Sequence, residues 1–198
     1  MMIQRIKRTA RVSRYIIYKE TLIDFKESFW SFLGAFLGIG LISFLQTLFL
    51  SDLENIFLIG SFGASSVLIY GAVESPLAQP RNLIGGHVVS AIVGVSINML
   101  LPDILWLTAP LAVSLSIVGM QYTKTLHPPG GATALIAIIG TGKIQELGYF
   151  YVLSPVLSGT LILLIIALIF NNISSTREYP VKSRFKLKRT FERITNNE

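Results

Sequence analysis

Residues 126–135 read Leu-His-Pro-Pro-Gly-Gly-Ala-Thr-Ala-Leu and lie between two long apolar segments. Proline lacks a backbone donor and disfavours the helical conformation of the residue before it, so this stretch interrupts a helix. Non-helical backbone at membrane depth must be covered by protein or line a cavity, because lipid offers its polar groups no partner. If the flanking segments span a membrane, the interruption predicts a binding site.

Composition places the middle of the chain in a membrane. Hydrophobic residues make up 52% of the 198 residues and charged residues 14%. Residues 28–171 hold three basic and five acidic side chains, whereas each flank holds seven basic and three acidic ones. We therefore predict a basic cytoplasmic or interfacial segment over 1–27, a transmembrane domain over 28–171 and a basic cytoplasmic tail over 172–198.

Five apolar segments are long enough to cross roughly 30 Å of hydrocarbon at about 1.5 Å per residue. They cover residues 29–50, 56–73, 83–101, 104–122 and 149–170, and a shorter one covers 130–140. We predict an all-α membrane protein of six short transmembrane or partly re-entrant helices, with broken helices at mid-membrane. In a four-span alternative, 56–73 and 130–140 enter the membrane and return on the same side.

Charge also predicts orientation and partners. If all six segments cross and both termini are cytoplasmic, 16 of the 17 basic residues face the cytoplasm, as insertion favours. The predicted location is a bacterial cell membrane, with anionic lipids at the basic termini. Basic residues beside membrane segments are ordinary, so no nucleic acid is expected as a partner.

An internal repeat supports six elements. Residues 63–68 match 131–136 at an offset of 68, and the same offset carries 83–101 onto 151–169. The two repeats cover about 29–101 and 104–170. Because each contains three crossings, the second is predicted to be inverted relative to the first, an arrangement known in transporters whose sites lie near the midplane.

The matching stretches supply the candidate substrate-binding residues. A helix that begins near Pro129 leaves its first amides without intrahelical partners, and its dipole attracts an anion there. The other stretch adds small and hydroxyl-bearing residues and the aromatic Phe62. The predicted site comprises Gly60, Ser61, Phe62, Gly63, Ala64, Ser65, Ser66, His127, Pro128, Pro129, Gly130, Gly131, Ala132 and Thr133. The alternatives are close helix packing over 60–65 and a plain turn over 127–131.

A second group of residues is predicted at the inner entrance or gate: Gln79, Arg81, Asn82, His87 and Lys124. Arg81 would draw anions by its charge, or serve only as a positive-inside anchor. His87 is expected close to the interface, bonded to a neighbouring carbonyl. His127 precedes the helix start and would protonate near neutral pH.

The residue types that are missing narrow the function. The six apolar segments contain no Asp, Glu, Lys or Arg, which disfavours a coupled-cation pathway. The chain has no cysteine, so thiolate metal sites and thiol nucleophiles are excluded. We expect no metal, no cofactor and no enzymatic activity. The rival functions are a membrane enzyme of lipid or prenyl metabolism and a structural or regulatory membrane subunit.

Three motifs in order resemble the HPP family of integral membrane proteins: residues 60–65, residues 76–82 with Gly85-Gly86-His87, and residues 127–132. The resemblance covers about residues 25–172. Chloroplast and cyanobacterial members are described as nitrite transporters, and some bacterial members carry CBS domains that this chain lacks. The family is usually described with four transmembrane helices, which conflicts with six.

The residues and the resemblance together predict transport of a small monovalent inorganic anion, most specifically nitrite. The anion is expected at half-helix N-termini near the bilayer midplane, where weak dipolar binding lets it leave again. The sequence leaves several alternatives open: channel or carrier, nitrite or nitrate, formate or chloride, and a monomer or a homo-oligomer.

Overall fold

The computed structural model describes residues 25–48 and 60–181, and every regular element in these ranges is helical. The helices are α1 (Phe25–Thr47), α2 (60–71), α3 (Pro80–Leu100), α4 (Leu105–Thr123), α5 (Pro129–Ile139), α6 (Gly142–Glu146) and α7 (Ser158–Ile173). Val67–Gly71 at the end of α2 and Val152–Leu157 before α7 are π-helical, and a 3-10 turn, Pro76–Ala78, precedes α3.

The predicted all-α membrane fold is confirmed, with four helices of membrane-spanning length. By length and apolar composition these are Phe25–Leu45, Pro80–Leu100, Leu105–Thr123 and Val152–Ile173. α5 has 11 residues, which is about 16 Å at about 1.5 Å per residue. The predicted basic segment and tail lie largely outside the described residues.

Contacts at one end of the bundle show which way the helices run. The Glu27 carboxylate near the start of α1 pairs with Arg177, which follows α7. Arg177 also donates to the carbonyl of Tyr70 at the end of α2, and Arg81 at the start of α3 donates to the carbonyl of Thr123 at the end of α4. We call this the Arg177 end. α1 and α3 therefore run away from this end, and α2, α4 and α7 run toward it.

Small residues bring the helices close together. Gly94 of α3 lies against α5, where a Cβ on Gly94 would stand 2.6 Å from the Ala134 carbonyl oxygen and 2.9 Å from the Ala137 Cβ. Gly34 and Gly38 of α1 leave room for the ring of Tyr70. α5 is consequently held against α3 and α4, and α1 packs on α7 and the end of α2.

The interruption before α5 is stabilised by its neighbours. Lys124 adopts the left-handed conformation that ends α4 (φ 57°), and the Thr125 amide donates to the Met120 carbonyl at 2.8 Å. The Asn82 side chain donates to the Leu126 carbonyl at 2.7 Å. The first turn of α3 thus supplies a hydrogen-bond donor to the non-helical backbone, which needs such partners because it is buried away from water.

Candidate functional site

Five polar side chains meet in the interior of the bundle, and we call them the polar cluster. Ser61 and Ser65 come from α2, His87 from α3, His127 from the segment before α5, and Thr133 from α5. Ser61 is 3% exposed and the other four are 1% exposed or less. Buried polar groups need hydrogen-bond partners, and these five residues supply most of them to one another.

The polar cluster is a continuous series of hydrogen bonds. The distances are 2.6 Å from Ser61 Oγ to Thr133 Oγ1, 2.7 Å from Thr133 Oγ1 to His87 Nδ1, 2.7 Å from His87 Nε2 to Ser65 Oγ, 2.9 Å from Ser65 Oγ to His127 Nε2, and 2.8 Å from His127 Nδ1 to the Leu77 carbonyl oxygen. The series therefore ends on a carbonyl in the 3-10 turn before α3.

Helical spacing and aromatic packing position these side chains. Ser61 and Ser65 lie four residues apart on α2 and therefore share one face. Phe62 is 1% exposed, with its ring centroid 5.5 Å from that of His87. Gly159 of α7 lets Phe62 sit there, because any Cβ on Gly159 would overlap the ring. The two imidazole centroids are 5.0 Å apart.

The two stretches that share the sequence repeat meet at the polar cluster. Ser61 of the first half bonds Thr133 of the second and also lies 3.2 Å from the Pro129 carbonyl. From this meeting point α2 runs toward the Arg177 end, where the Tyr70 carbonyl accepts from Ser31 at 2.7 Å. α5 runs away from that end alongside α3, because Gly86 of α3 lies against His127, and Gly94, two turns farther along α3, lies against Ala134 and Ala137 of α5. The two short helices are antiparallel.

The amides after the twin prolines are not free, which corrects the predicted mode of anion binding. Gly130 N–H donates to the His127 carbonyl at 2.9 Å, and Gly131 N–H donates to the Pro128 carbonyl at 3.1 Å. Pro128 already has helical backbone angles (φ −53°, ψ −38°), so the first turn closes one residue earlier than expected and supplies these acceptors. Donors for a solute must therefore come from side chains.

Several other predicted site residues lie beside the polar cluster rather than in it. Gly60 and Ala64 are on the exposed side of α2, and Pro128 is exposed. A Cβ on Gly63 would meet nothing within 4 Å. Ser66 is buried, and no described residue forms a hydrogen bond with its hydroxyl. Ala132 is half-buried on α5. Their roles in binding stay predictions.

The predicted entrance residues fasten backbone at the Arg177 end. The Gln79 amide donates to the Val73 and Ser75 carbonyls at 3.0 and 2.9 Å. Arg81 donates to the Thr123 carbonyl at the end of α4, Asn82 donates to the Leu126 carbonyl of the interrupted segment, and Lys124 is exposed. A gating role for these residues stays a prediction.

His87 was expected to bond a neighbouring carbonyl close to the interface, and its hydrogen-bond partners are different. Its side chain is 0% exposed and bonds both Ser65 and Thr133. The reason is that α3 begins at Pro80, earlier than the apolar segment, so His87 lies seven residues, or about 10 Å, along the helix. His87 is thus a central member of the polar cluster.

Sequence reasoning missed several residues around the cluster. Tyr151 donates its hydroxyl to the Thr133 carbonyl at 3.0 Å. Ser90 is fully buried, has no hydrogen-bond partner within residues 25–48 and 60–181, and would contact a Cβ on Gly130 at 2.7 Å. The spacing of Ser90 three residues after His87 places both on one face of α3. That spacing was a signal in the sequence.

Arg177 lies within the predicted tail, 172–198, and its side chain packs against the bundle. It bonds the Glu27 carboxylate, the Ser31 hydroxyl at 2.8 Å and the Tyr70 carbonyl at 3.2 Å. Beside it a cavity of about 360 Å³ is lined in part by Glu27, Glu74 and Arg177. The residues after α7 therefore join α1 to α2 at this end.

Metal ligands do not cluster within the described ranges 25–48 and 60–181. No group of three or more His, Asp or Glu side chains there is arranged to hold a metal ion. The two histidines face hydroxyls and a carbonyl instead. Among the described residues, the site is built for hydrogen bonding between uncharged groups.

Comparison with known proteins identifies relatives of this chain. The family described as the HPP transmembrane region matches residues 20–180. Two curated Dictyostelium discoideum proteins, both named only as transmembrane proteins, are 50% and 45% identical over 161 residues. The match covers 80% of this chain but 51% and 56% of those relatives, so the chain spans about half their length. No solved structure matches it.

Proposed function

We propose that this chain, a member of the HPP transmembrane family, carries a small monovalent inorganic anion across the membrane, with nitrite as the first substrate to test. The observation that supports this most is the polar cluster, a buried set of hydroxyl and imidazole groups where α2, α3 and α5 meet. The choice of nitrite among such anions rests on the resemblance to described nitrite transporters. We propose transport rather than catalysis.

The chemistry of the polar cluster suits reversible binding. Hydroxyl donors bind an anion without a fixed full charge, so the ion is held weakly enough to leave. Each hydrogen bond to a charged solute contributes about 1.5–3 kcal/mol. The Ser61 and Thr133 hydroxyls would supply the first donors, and Phe62 and His127 would shape the site. Because the cluster is closed to both sides, transport requires an opening movement.

The arrangement of α2 and α5 supports a two-repeat design. Each is short, each carries one of the matching stretches, and they run in opposite directions from the cluster. We propose that the two halves are inverted repeats and that the solute crosses where they meet. Relative movement of the halves would then expose the cluster to each side in turn.

Nitrite uptake into proteoliposomes tests the function. Thr133→Val removes the hydroxyl while keeping the shape, and Thr133→Ser keeps the hydroxyl. Losing one hydrogen bond to an anion should lower flux about tenfold in Thr133→Val, whereas Thr133→Ser retains it. Ser114→Ala is the matched control, because Ser114 is exposed and donates only to α4 carbonyls. Wild-type flux in Thr133→Val would contradict the proposed site.

A structural role is the second candidate. It is favoured by the polar cluster itself, whose members already satisfy one another. On that hypothesis Thr133→Val lowers thermal stability, and the wild-type protein moves none of nitrite, nitrate, formate or chloride. Protein-dependent flux of any of these anions would exclude a purely structural role.

A further inference from the structure

The hydrogen bonds of the polar cluster have one consistent direction. A carbonyl oxygen only accepts, so His127 Nδ1 must carry a hydrogen and donate it to Leu77. In a neutral imidazole the other nitrogen then accepts, so His127 Nε2 receives the Ser65 hydroxyl hydrogen. One backbone carbonyl at the end of the series therefore fixes the first two hydrogens.

The same logic fixes the remaining hydrogens. Ser65 has given its only hydrogen to His127, so it accepts from His87 Nε2–H. His87 Nδ1 is then an acceptor and receives the Thr133 hydroxyl hydrogen. Thr133 in turn accepts from Ser61. The neutral cluster has five hydrogens, and each has its acceptor.

This arrangement leaves the cluster without a donor for an anion. A solute that binds at Ser61 and Thr133 must take a hydrogen that already serves a buried acceptor, and an abandoned buried acceptor costs about 1–3 kcal/mol. The hydroxyls of Ser66 and Ser90 form no hydrogen bond with the cluster. An anion held by the hydroxyls of Ser61 and Thr133 therefore needs an added hydrogen, and the added hydrogen must release a donor that faces the anion.

We propose that a proton is a co-substrate, bound at His87 Nδ1 together with the anion; this inference rests on the proposed function. The proton forms an N–H bond at His87 Nδ1, which then donates to Thr133 Oγ1. The Thr133 hydroxyl hydrogen turns from His87 to the anion. When the anion leaves, the Nδ1–H bond breaks, the proton departs on the same side, and Thr133 donates to His87 again.

His127 is a poorer place for that proton. A hydrogen added to His127 Nε2 would donate to Ser65, and the displaced Ser65 hydrogen would find the Ser61 carbonyl 3.2 Å away within α2. No donor would be released toward a solute. The surroundings favour a positive charge only when an anion is present, because the bonded partners of both imidazoles are hydroxyls and a carbonyl.

Other titratable or charged groups on the packed elements point elsewhere. Tyr151 donates to the Thr133 carbonyl, and Tyr179 donates to the Ala78 carbonyl at 2.8 Å. Arg81 bonds the end of α4, and Lys124 is exposed. One anion and one proton entering together carry no net charge, so transport is electroneutral.

The test uses sodium nitrite and full-length protein in liposomes that contain a pH-sensitive dye. Valinomycin and potassium gradients set the membrane potential, and protein-free liposomes give the background from nitrous acid crossing the lipid. After the protein-free background is subtracted, the wild-type protein should bring one proton into the liposome for each nitrite ion. Its rate should not respond to an inside-positive potential, and it should rise as the outside pH falls.

His87→Gln keeps hydrogen bonding but cannot bind the proton, so its nitrite uptake should fall to the protein-free rate, while Ser114→Ala keeps the wild-type rate. Wild-type uptake that is driven by potential without matching acidification overturns the proton inference and leaves the proposed function standing. His87→Gln with wild-type pH dependence also overturns it. Protein that moves no nitrite, nitrate, formate or chloride refutes the proposed function and the inference together.

Discussion

Replacing Gly94 by alanine should separate α5 from α3 and disturb the polar cluster from a distance. The new Cβ would stand 2.6 Å from the Ala134 carbonyl oxygen, so α5 must retreat by about 0.8 Å to reach the 3.4 Å at which ordinary contact begins. His87 lies on α3 and Thr133 on α5. A retreat along their bond lengthens the 2.7 Å distance to about 3.5 Å, beyond good hydrogen-bond geometry.

The expected cost combines three effects. Overpacking destabilises the fold by about 1–3 kcal/mol, and loss of one hydrogen bond destabilises it by about 1 kcal/mol. Alanine in place of glycine stabilises the helix by about 0.5–1 kcal/mol. A net loss of about 2 kcal/mol lowers the melting temperature of a chain this long by roughly 4–8 °C. Tryptophan fluorescence in detergent measures it, with Gly40→Ala as control because a Cβ there meets nothing within 4 Å. Equal melting and equal flux in the two variants would refute the packing argument.

Two further predictions concern the Arg177 end. Arg177→Gln should lower the free energy of unfolding by about 1–3 kcal/mol, which is less than the loss from a fully buried ion pair because Glu27 is 31% exposed. Arg81→Gln should change the free energy of unfolding by less than about 0.5 kcal/mol. Equal melting temperatures of the two variants would contradict the pairing of Arg177 with Glu27. Burial raises the pKa of the Tyr179 hydroxyl above its ordinary value. The stabilisation of the folded state by the neutral hydroxyl is therefore complete below about pH 10, and it is lost as the pH rises through the folded-state pKa. Melting curves between about pH 9 and 11 should therefore show a smaller loss in Tyr179→Phe than in the wild type, and identical losses would contradict this.

The sequence predicted the helical membrane fold because apolar segments and charge segregation report directly on lipid exposure. It also indicated, through the 68-residue offset, that the stretches around Ser61 and Thr133 belong together, and these two hydroxyls are 2.6 Å apart. It could not show how deep His87 lies, because Pro80 starts α3 within a polar stretch and hydropathy does not mark that start.

The amide donors were mispredicted for a different reason. Helix-start rules treat the first amides as free, but a helical Pro128 and the His127 carbonyl supply partners that depend on local backbone angles. Arg177 lies within the stretch predicted as the tail, and charge patterning alone does not show which residues its side chain contacts. Its acceptors include Glu27 and the Tyr70 carbonyl, which are more than 100 residues away in sequence.

The carbonyl of Leu77 has a spectroscopic consequence. Because it accepts from His127, that imidazole is the Nδ1-protonated tautomer, and His87, two hydrogen bonds away, is the Nε2-protonated one. The chain has only these two histidines. Their ring nitrogens should give opposite ¹⁵N shift patterns, so a single isotope label would report on the interior of the bundle with no solute present.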